Sequence, residues 1–509
     1  MGLLTAFCLL LPTQNSTLDA WYYAACVRHG HELLLPHHLL YNAVGWLWQQ
    51  ALPDSIDTLA ALKALNAWGF GASLLVLREL LRRVGGARPP VAGWLLLVGS
   101  SFAMLRFATE NETYMLPLLL SLLASRSAWR AASGEVGLSG WLAAGGWAAG
   151  ACLLHQIHAG WWLGLLLGVL LLRQSAARRW SALWRYALPA AAIPLAYAAA
   201  LPGWNLPLTF SAFWHFVFHD LYAGQTGATP SGLTLLLTGI NLGRTFGQMH
   251  GSTLALLRQW PALGGVALLC LGAGVVAGWQ LWRAGRGLDK AGAPPVDFSP
   301  ESGPARHSGP WFQRTHFMIL TLQVACAVWA AGNAEFMVMI PALLALLLVR
   351  QPWPPRPLLL AGAALLLWNL TFGLLPSHLL RFTNTAPILA RMEQEPAAWW
   401  LLTDPNLILN QRHYRTGNPV GPPTILATPA QLVQRPGWSA SNFRTWLAAR
   451  RAAGQRVYTD AIGGKHLLDR ARLTQGDEDA QRALLAGYQL VRVDSLPTSF
   501  GVVYLTEIR

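Results

Sequence analysis

Apolar runs separated by short polar connections fill the first three quarters of the chain. They occupy residues 58–81, 91–108, 114–127, 136–154, 159–173, 184–202, 261–282, 315–332, 335–349 and 357–376, with a shorter run at 1–12. A helix needs roughly 17–25 apolar residues to cross a bilayer. The pattern therefore predicts a mostly α, polytopic helical membrane protein with about eleven spanning helices. The first run, "MGLLTAFCLLLP", is short for a crossing. It reads as a helix that enters partway or begins upstream, because it lacks the basic start and cleavage pattern of a signal peptide.

After Pro376 the long blocks stop. Short β-like runs ("WWLLT", "RVYTD", "YQLVRVD", "GVVYLTEI") then alternate with helical ones ("NFRTWLAARRAAG", "DEDAQRALLAG"). A Gly closes each helical run, the usual stop signal. The expectation is a membrane domain over 1–376 and a small α/β domain over 377–509. Residues 285–314, rich in Pro, Gly and Ser without periodicity, read as a flexible linker. No internal repeat suggests a solenoid or an inverted-repeat transporter.

Charge orients this scheme. The chain of 509 residues is 53% hydrophobic, 12% charged and carries a net +14, where a soluble protein has about 25% charged residues. Alternate connections hold the cations. One set has seventeen before residue 377, among them Arg78, Arg82, Arg83, Arg126, Arg130, Arg178, Arg179 and Arg350; the other has five, Arg28, Lys63, Arg106, Arg244 and Arg258. The positive-inside rule puts the rich set in the cytoplasm. The basic charge is thus topological, and nucleic acid is excluded as the partner it implies. An odd number of spans places the C-terminal domain on the periplasmic or lumenal side of the inner (plasma) membrane. The five cysteines, with no CxxC, imply neither a disulfide framework nor a zinc module.

The outer connections collect the ionisable groups. Residues 13–57 hold Asp19, His29, His31, Glu32, His37, His38, Asp54 and Asp57; the second loop, "RFATENETYMLP", holds Arg106, Glu110 and Glu112. "HQIHA" supplies His155 and His158, residues 203–260 supply His215, His219, Asp220 and His250, and "GNAEF" supplies Glu335. Ionisable groups gathered at one membrane face are a functional-site hypothesis by default. Each has a plainer reading. Glu110, Glu112 and Asp19 precede or open helices and would serve as caps. The His155/His158 and His215/His219 spacings suit metal ligation, and equally suit phosphate binding. A divalent metal is left open. Three N-x-[ST] matches, at Asn15, Asn111 and Asn369, arise easily by chance. There is no phosphate-cradling Gly-rich loop and no GxSxG elbow.

Together these residues resemble the GT-C superfamily of membrane glycosyltransferases, which includes protein O-mannosyltransferases and lipid A aminoarabinose transferases. The likeness lies in a long first outer loop with an acid soon after the first span ("STLDAWYYAA") and a later Pro-His region ("LPHHLLYNAVGW"). It continues in "RFATENETYMLPLLLSLLA", "LLHQIHAGWWLGLLLG" and "AGNAEFMVMIPALLALLL", and in an outer C-terminal domain. Many members show an acidic pair where this chain has Asp19 alone. The resemblance implies a transferase taking a sugar from a polyprenyl-phosphate carrier at the outer face, with inversion by single displacement and the acceptor unspecified. It makes Asp19 the first candidate base and Glu110 the second. Arg106, His37, His38, His155 and His158 become candidates for the donor phosphate, and Glu112 and Glu335 for substrate. The competing readings are a lipid-linked sugar transporter or flippase, a surface-polysaccharide polymerase or ligase, and an inactive scaffold. A transporter needs charged or broken helices at mid-membrane.

Overall fold

The computed structural model describes residues 1–85, 89–222, 231–249, 251–290, 305–330, 332–466 and 478–509. His250 and most of the expected linker, 291–304, lie outside the described residues. The flanks of that linker are helical: Leu263–Lys290 and Ala305–Trp329 run into it from either side. The chain divides into two compact units. The first comprises Met1–Pro12, Gly30–Gln248 and Leu263–Leu374; the second comprises Thr13–His29, Met249–Ala262 and Leu375–Arg509.

The first unit is helical. Among the described residues four helices are long and apolar enough to cross a membrane: Thr58–Val84, Ala176–Trp204, Leu263–Arg286 and Pro355–Leu379. This is an integral membrane protein. The expected span at 91–108 is instead two helices, Val91–Gly99 and Phe102–Ala108, bent by 62°. Counting that pair gives five crossings by length and composition, and the tally of about eleven is not reached on those criteria. The first run forms a nine-residue helix, Gly2–Leu10.

The bend falls at Ser100–Ser101. Small polar residues at a helix break can satisfy the carbonyls it frees. The Ser101 hydroxyl donates to Val98 O at 2.7 Å. The Ser100 carbonyl accepts from Asn369 Nδ2 at 2.7 Å. The same amide donates to Phe246 O at 2.7 Å, and its oxygen accepts from Gln248 N at 2.8 Å. Asn369, one of the three N-x-[ST] matches, is therefore a fully used buried clasp.

Close helix packing in this unit depends on small residues. A Cβ at Gly164 or Gly168 would collide with Ile319 or Thr315 of the helix Ala305–Trp329. That contact carries a buried polar node. Trp161 Nε1 donates to Ser125 Oγ at 2.9 Å, and Ser125 Oγ lies 2.9 Å from His316 Nε2. His316 Nδ1 faces Phe312 O at 2.8 Å. A carbonyl only accepts, so the proton sits on Nδ1, and Nε2 accepts from the serine. Every member is satisfied, as a buried network must be to hold helices in one register.

The second unit contains a six-stranded sheet: β1 (Trp399–Leu402), β2 (Ile425–Ala427), β3 (Val457–Thr459), β4 (Lys465–His466), β5 (Leu490–Thr498) and β6 (Gly501–Ile508). Its order is β2-β1-β3-β6-β4, with β5 also paired to β6. β1 runs parallel to β2 and β3, and the pairs to β6 are antiparallel. Side chains alternate between faces along a strand. Trp400 and Leu402 join Ile388, Leu389 and Leu505 in one core, while Leu401 joins Phe443, Leu447 and Val457 in the other. The four β-like runs expected from the sequence fall on β1, β3, β5 and β6, and the two helical runs on the helices Ala440–Ala452 and Glu478–Leu484.

Asp460 follows β3 and accepts from Thr403 N and Thr403 Oγ1 at 2.8 and 2.9 Å. Loss of hydration pushes its carboxyl up to about 6 from 3.8, against those hydrogen bonds. An acid with a raised folded-state pKa stabilises below its unfolded pKa and loses that contribution as pH rises through the folded one. Asp460→Asn keeps an acceptor for Thr403 without the charge. The variant should therefore melt higher than the parent above pH 6, and the gain should vanish below pH 4. Melting curves of the purified chain at both pH values check this.

Candidate functional site

Three loops of the first unit are sewn together by backbone. Leu40 N donates to Leu153 O at 3.0 Å, and Gln156 N donates to His37 O at 3.1 Å. Gln156 Nε2 adds bonds to Pro36 O and Val217 O. Tyr41 Oη donates to Asn111 Oδ1 at 2.9 Å, tying the Pro-His region to the second loop. The Pro-His region, the second loop and the turn that bears His155 and His158 thus meet within this unit.

Its centre is a chain of imidazoles. The rings of His38 and His155 are 4.3 Å apart, His37 and His38 5.9 Å, and His155 and His158 6.4 Å. His219 stands 5.9 Å from His37. The Tyr114 ring packs at 5.0 Å on His155, and its hydroxyl donates to Glu335 Oε2 at 2.9 Å. His155 and His158 are buried, at 5% and 0% exposure. His155 is not on a helical face. It caps the short turn Gln156–His158 from an extended backbone, φ −162° and ψ 121°.

That cap fixes its tautomer. Ile157 N donates to His155 Nδ1 at 3.3 Å, so Nδ1 is an acceptor. Burial, and then the charges of His38, His158 and His37, hold its pKa well below the usual imidazole range. A neutral ring with Nδ1 unprotonated carries its proton on Nε2. Among the described residues the Nε2 of His155 has no hydrogen-bond partner, and neither has the Nε2 of His158, whose Nδ1 meets Ser121 Oγ at 2.7 Å. An unsatisfied buried donor costs about 1–3 kcal/mol. His155 Nε2–H is a buried donor that points to an acceptor oxygen as its natural partner. Among the described residues no three His, Cys, Asp or Glu side chains are set to hold a metal ion. His155 and His158 do not share one helix face, because His155 stands in extended backbone. The His215/His219 pair does not share one helix either: the chain breaks at Phe218 between Phe210–Val217 and His219–Tyr222.

The glutamates of the second loop form a neighbouring node. Glu110 and Glu112 are 3% and 4% exposed. Neither caps the next helix, Met115–Ala132, which has no acid in its first turn and Tyr114 at its N-cap position. Glu110 Oε1 instead accepts from Asn111 N at 2.9 Å and lies 3.8 Å from Lys63 Nζ, itself buried. Asn66 Nδ2 reaches the carbonyls of Glu110 and Glu112 at 2.8 and 2.7 Å and Tyr41 Oη at 3.1 Å. The guanidinium of Arg106 lies 5.0 Å over the Phe107 ring, which packs at 4.6 Å on Tyr114. Among the described residues no carboxylate pairs with Arg106.

Asp19 belongs to the second unit. It sits half-buried in the first turn of helix Leu18–His29. It is not the cap, because Ala20 N donates to Thr17 Oγ1 at 3.1 Å. Tyr114, Asn66, Lys63 and Ser121 were not singled out by sequence reasoning. A lone Asn at mid-span was the available signal for Asn66, since a buried amide must find partners; Tyr114 offered none beyond its place next to the acids.

No family model matches the chain, and no curated protein matches it. Among solved structures it is similar to ArnT from Cupriavidus metallidurans bound to undecaprenyl phosphate, with 14% identity, a TM-score of 0.48, and 99% of this chain and 96% of that one covered. The apo state of the same ArnT gives 15% identity and a TM-score of 0.45 over the same shares. An oligosaccharyltransferase of Archaeoglobus fulgidus, tethered with an acceptor peptide, gives 13% identity and a TM-score of 0.47, covering 98% of this chain and 73% of that one. The chain is thus similar over nearly its whole length to two GT-C glycosyltransferases.

Proposed function

We propose that the protein is a membrane glycosyltransferase. It takes a sugar from a polyprenyl-phosphate-linked donor and transfers it to an acceptor at the outer face of the cytoplasmic membrane. The observation that carries this reading is the imidazole cluster: two buried rings, at a loop junction of a membrane-embedded unit, each keep an Nε2 without a partner among the described residues. A buried N–H with nothing to bond is suited to an anionic oxygen. A prenyl phosphate brings that oxygen to the membrane boundary while its tail stays in lipid. His155 and His158 then bind the phosphate, with His37 and His38 beside them and Arg106 as the cation.

The reaction is a single displacement. A carboxylate draws the proton from the acceptor hydroxyl, the oxygen attacks the anomeric carbon, and the bond from that carbon to the phosphate oxygen breaks. Negative charge collects on the departing phosphate, where preorganised donors act most strongly. Asp19 is the proposed base, with Glu110 second. Glu110 is engaged by Lys63 and Asn111 N. Glu335, held by Tyr114, and Glu112 are assigned to the sugar hydroxyls.

The test is reconstitution of the purified chain in liposomes with a radiolabelled polyprenyl-phosphate sugar and candidate lipid, glycan and peptide acceptors. A new glycoside is the expected product. Movement of the donor between leaflets with no glycoside formed would point to a flippase and sink the proposal.

A further inference from the structure

The segment that carries Asp19 precedes the membrane helices in sequence, yet it is built into the C-terminal unit. It is fastened there at both ends. At its start, Gln14 N donates to Ser377 O at 2.9 Å. Asn15 Nδ2 donates to Ser377 O and Leu380 O at 2.9 and 2.8 Å, and its oxygen accepts from Phe382 N at 2.7 Å. Asn15, another of the three N-x-[ST] matches, thus spends its whole amide on the chain that opens the C-terminal unit.

The second fastening is the helix Pro405–Thr416, against which Leu18–His29 packs. Asn410 Nδ2 donates to Leu18 O, the carbonyl just before Asp19, at 2.9 Å. Trp21 meets the Tyr414 ring edge-on at 5.2 Å, and the Arg28 guanidinium covers the same ring at 4.6 Å. His29 Nε2 donates to Tyr414 O at 3.1 Å. Gly417 ends that helix at φ +74°, and a Cβ there would press on the His29 ring at 3.1 Å. Asp19 lies between the two fastenings. Eight hydrogen-bond and ring contacts from residues 377–417 hold this segment.

We propose that the C-terminal unit is the positioning frame of the catalytic base, with Asn15, Asn410 and Tyr414 as positioning residues. The inference rests on the reading of Asp19 as that base. Catalytic rates fall steeply with misplacement of a reacting group, on the order of 10²-fold for about 1 Å. A loosened frame therefore lowers turnover without altering donor binding.

The experiment measures kcat and donor KM for full-length Asn15→Ala, Asn410→Ala and Tyr414→Ala in the liposome assay. Rates are normalised to monodisperse folded protein, and the variants are repeated on an Asp19→Asn background. The expected result is a fall in kcat of roughly 10- to 100-fold for Asn15→Ala and Tyr414→Ala. KM stays unchanged, and no further loss occurs once Asp19 is replaced, the non-additivity of groups acting through one another. A merely structural role lowers the yield of folded protein and leaves kcat per folded molecule intact. Wild-type kcat in all three variants, or losses that add fully to that of Asp19→Asn, overturns the positioning role while the base assignment stands. An active Asp19→Asn removes the base assignment and the inference together.

Discussion

Asp19→Asn is expected to cut glycosyl transfer by roughly 10²–10⁴-fold, the usual worth of a positioned general base, with expression and membrane insertion at parental levels. The substitution is nearly isosteric. Thr17, not Asp19, caps the helix, so the first turn keeps its hydrogen bond when the charge is removed. The charge that draws the proton from the acceptor is lost. The measurement is kcat in the reconstituted assay beside a thermal melt of the same preparation. Parental kcat in a folded Asp19→Asn chain would pass the role to Glu110.

The second large effect belongs to His155→Phe. Phenylalanine keeps a ring for Tyr114 and His38 to pack on but has no Nε2–H. If that donor serves the departing phosphate, its loss costs roughly 10²–10³-fold in kcat, the range for a single preorganised donor to a developing oxyanion. Donor KM rises as well, because the ground-state phosphate uses the same bond. The pH dependence separates this from a charge effect. His155 stays neutral when buried, so the parental rate should show no inflection near 6.5 that disappears in the variant. Such an inflection would mean that a charged imidazole does the work.

Much of this arrangement was readable from residue order, and the reasons it was or was not are physical. Apolar length marks a membrane helix with little ambiguity, and Thr58–Val84 and Pro355–Leu379 fall where the hydropathy puts them. The strands around Trp400 and Tyr458 were legible as short β-like runs, because a strand with a core on each face is apolar on both sides. The loops bearing His37, His38, His155 and His158 stood out because ionisable groups at a membrane edge are rare. Their mutual approach within 4.3–6.4 Å was legible only as an expectation.

What stayed hidden depends on distant partners. Nothing local in "FAMLRFA" announces the 62° bend; its cause is a pair of serines whose freed carbonyl is met from residue 369. The Glu110 and Glu112 carboxylates looked like helix caps because sequence shows proximity to a helix and not the buried Lys63 that draws Glu110 away. The linker expected over 285–314 was drawn too long, since Gly and Pro weaken a helix without forbidding it, and Pro310 sits inside the helix Ala305–Trp329. Above all, the pairing of residues 13–29 with residues 377–417 joins chain segments more than 360 residues apart, a separation at which composition and periodicity are silent.

The Asn369 clasp has a bearing on biogenesis. Its bonds to Ser100 and Phe246 cross 269 and 123 residues of chain. A ribosome delivers those carbonyls long before it delivers the amide. Until the last long apolar helix is inserted, the bent pair must keep its bare peptide groups wet or borrowed by lipid headgroups, since hydrocarbon offers them no partner. The bundle is therefore locked from its trailing end, and nascent chains stalled short of residue 369 should be the natural prey of membrane quality control.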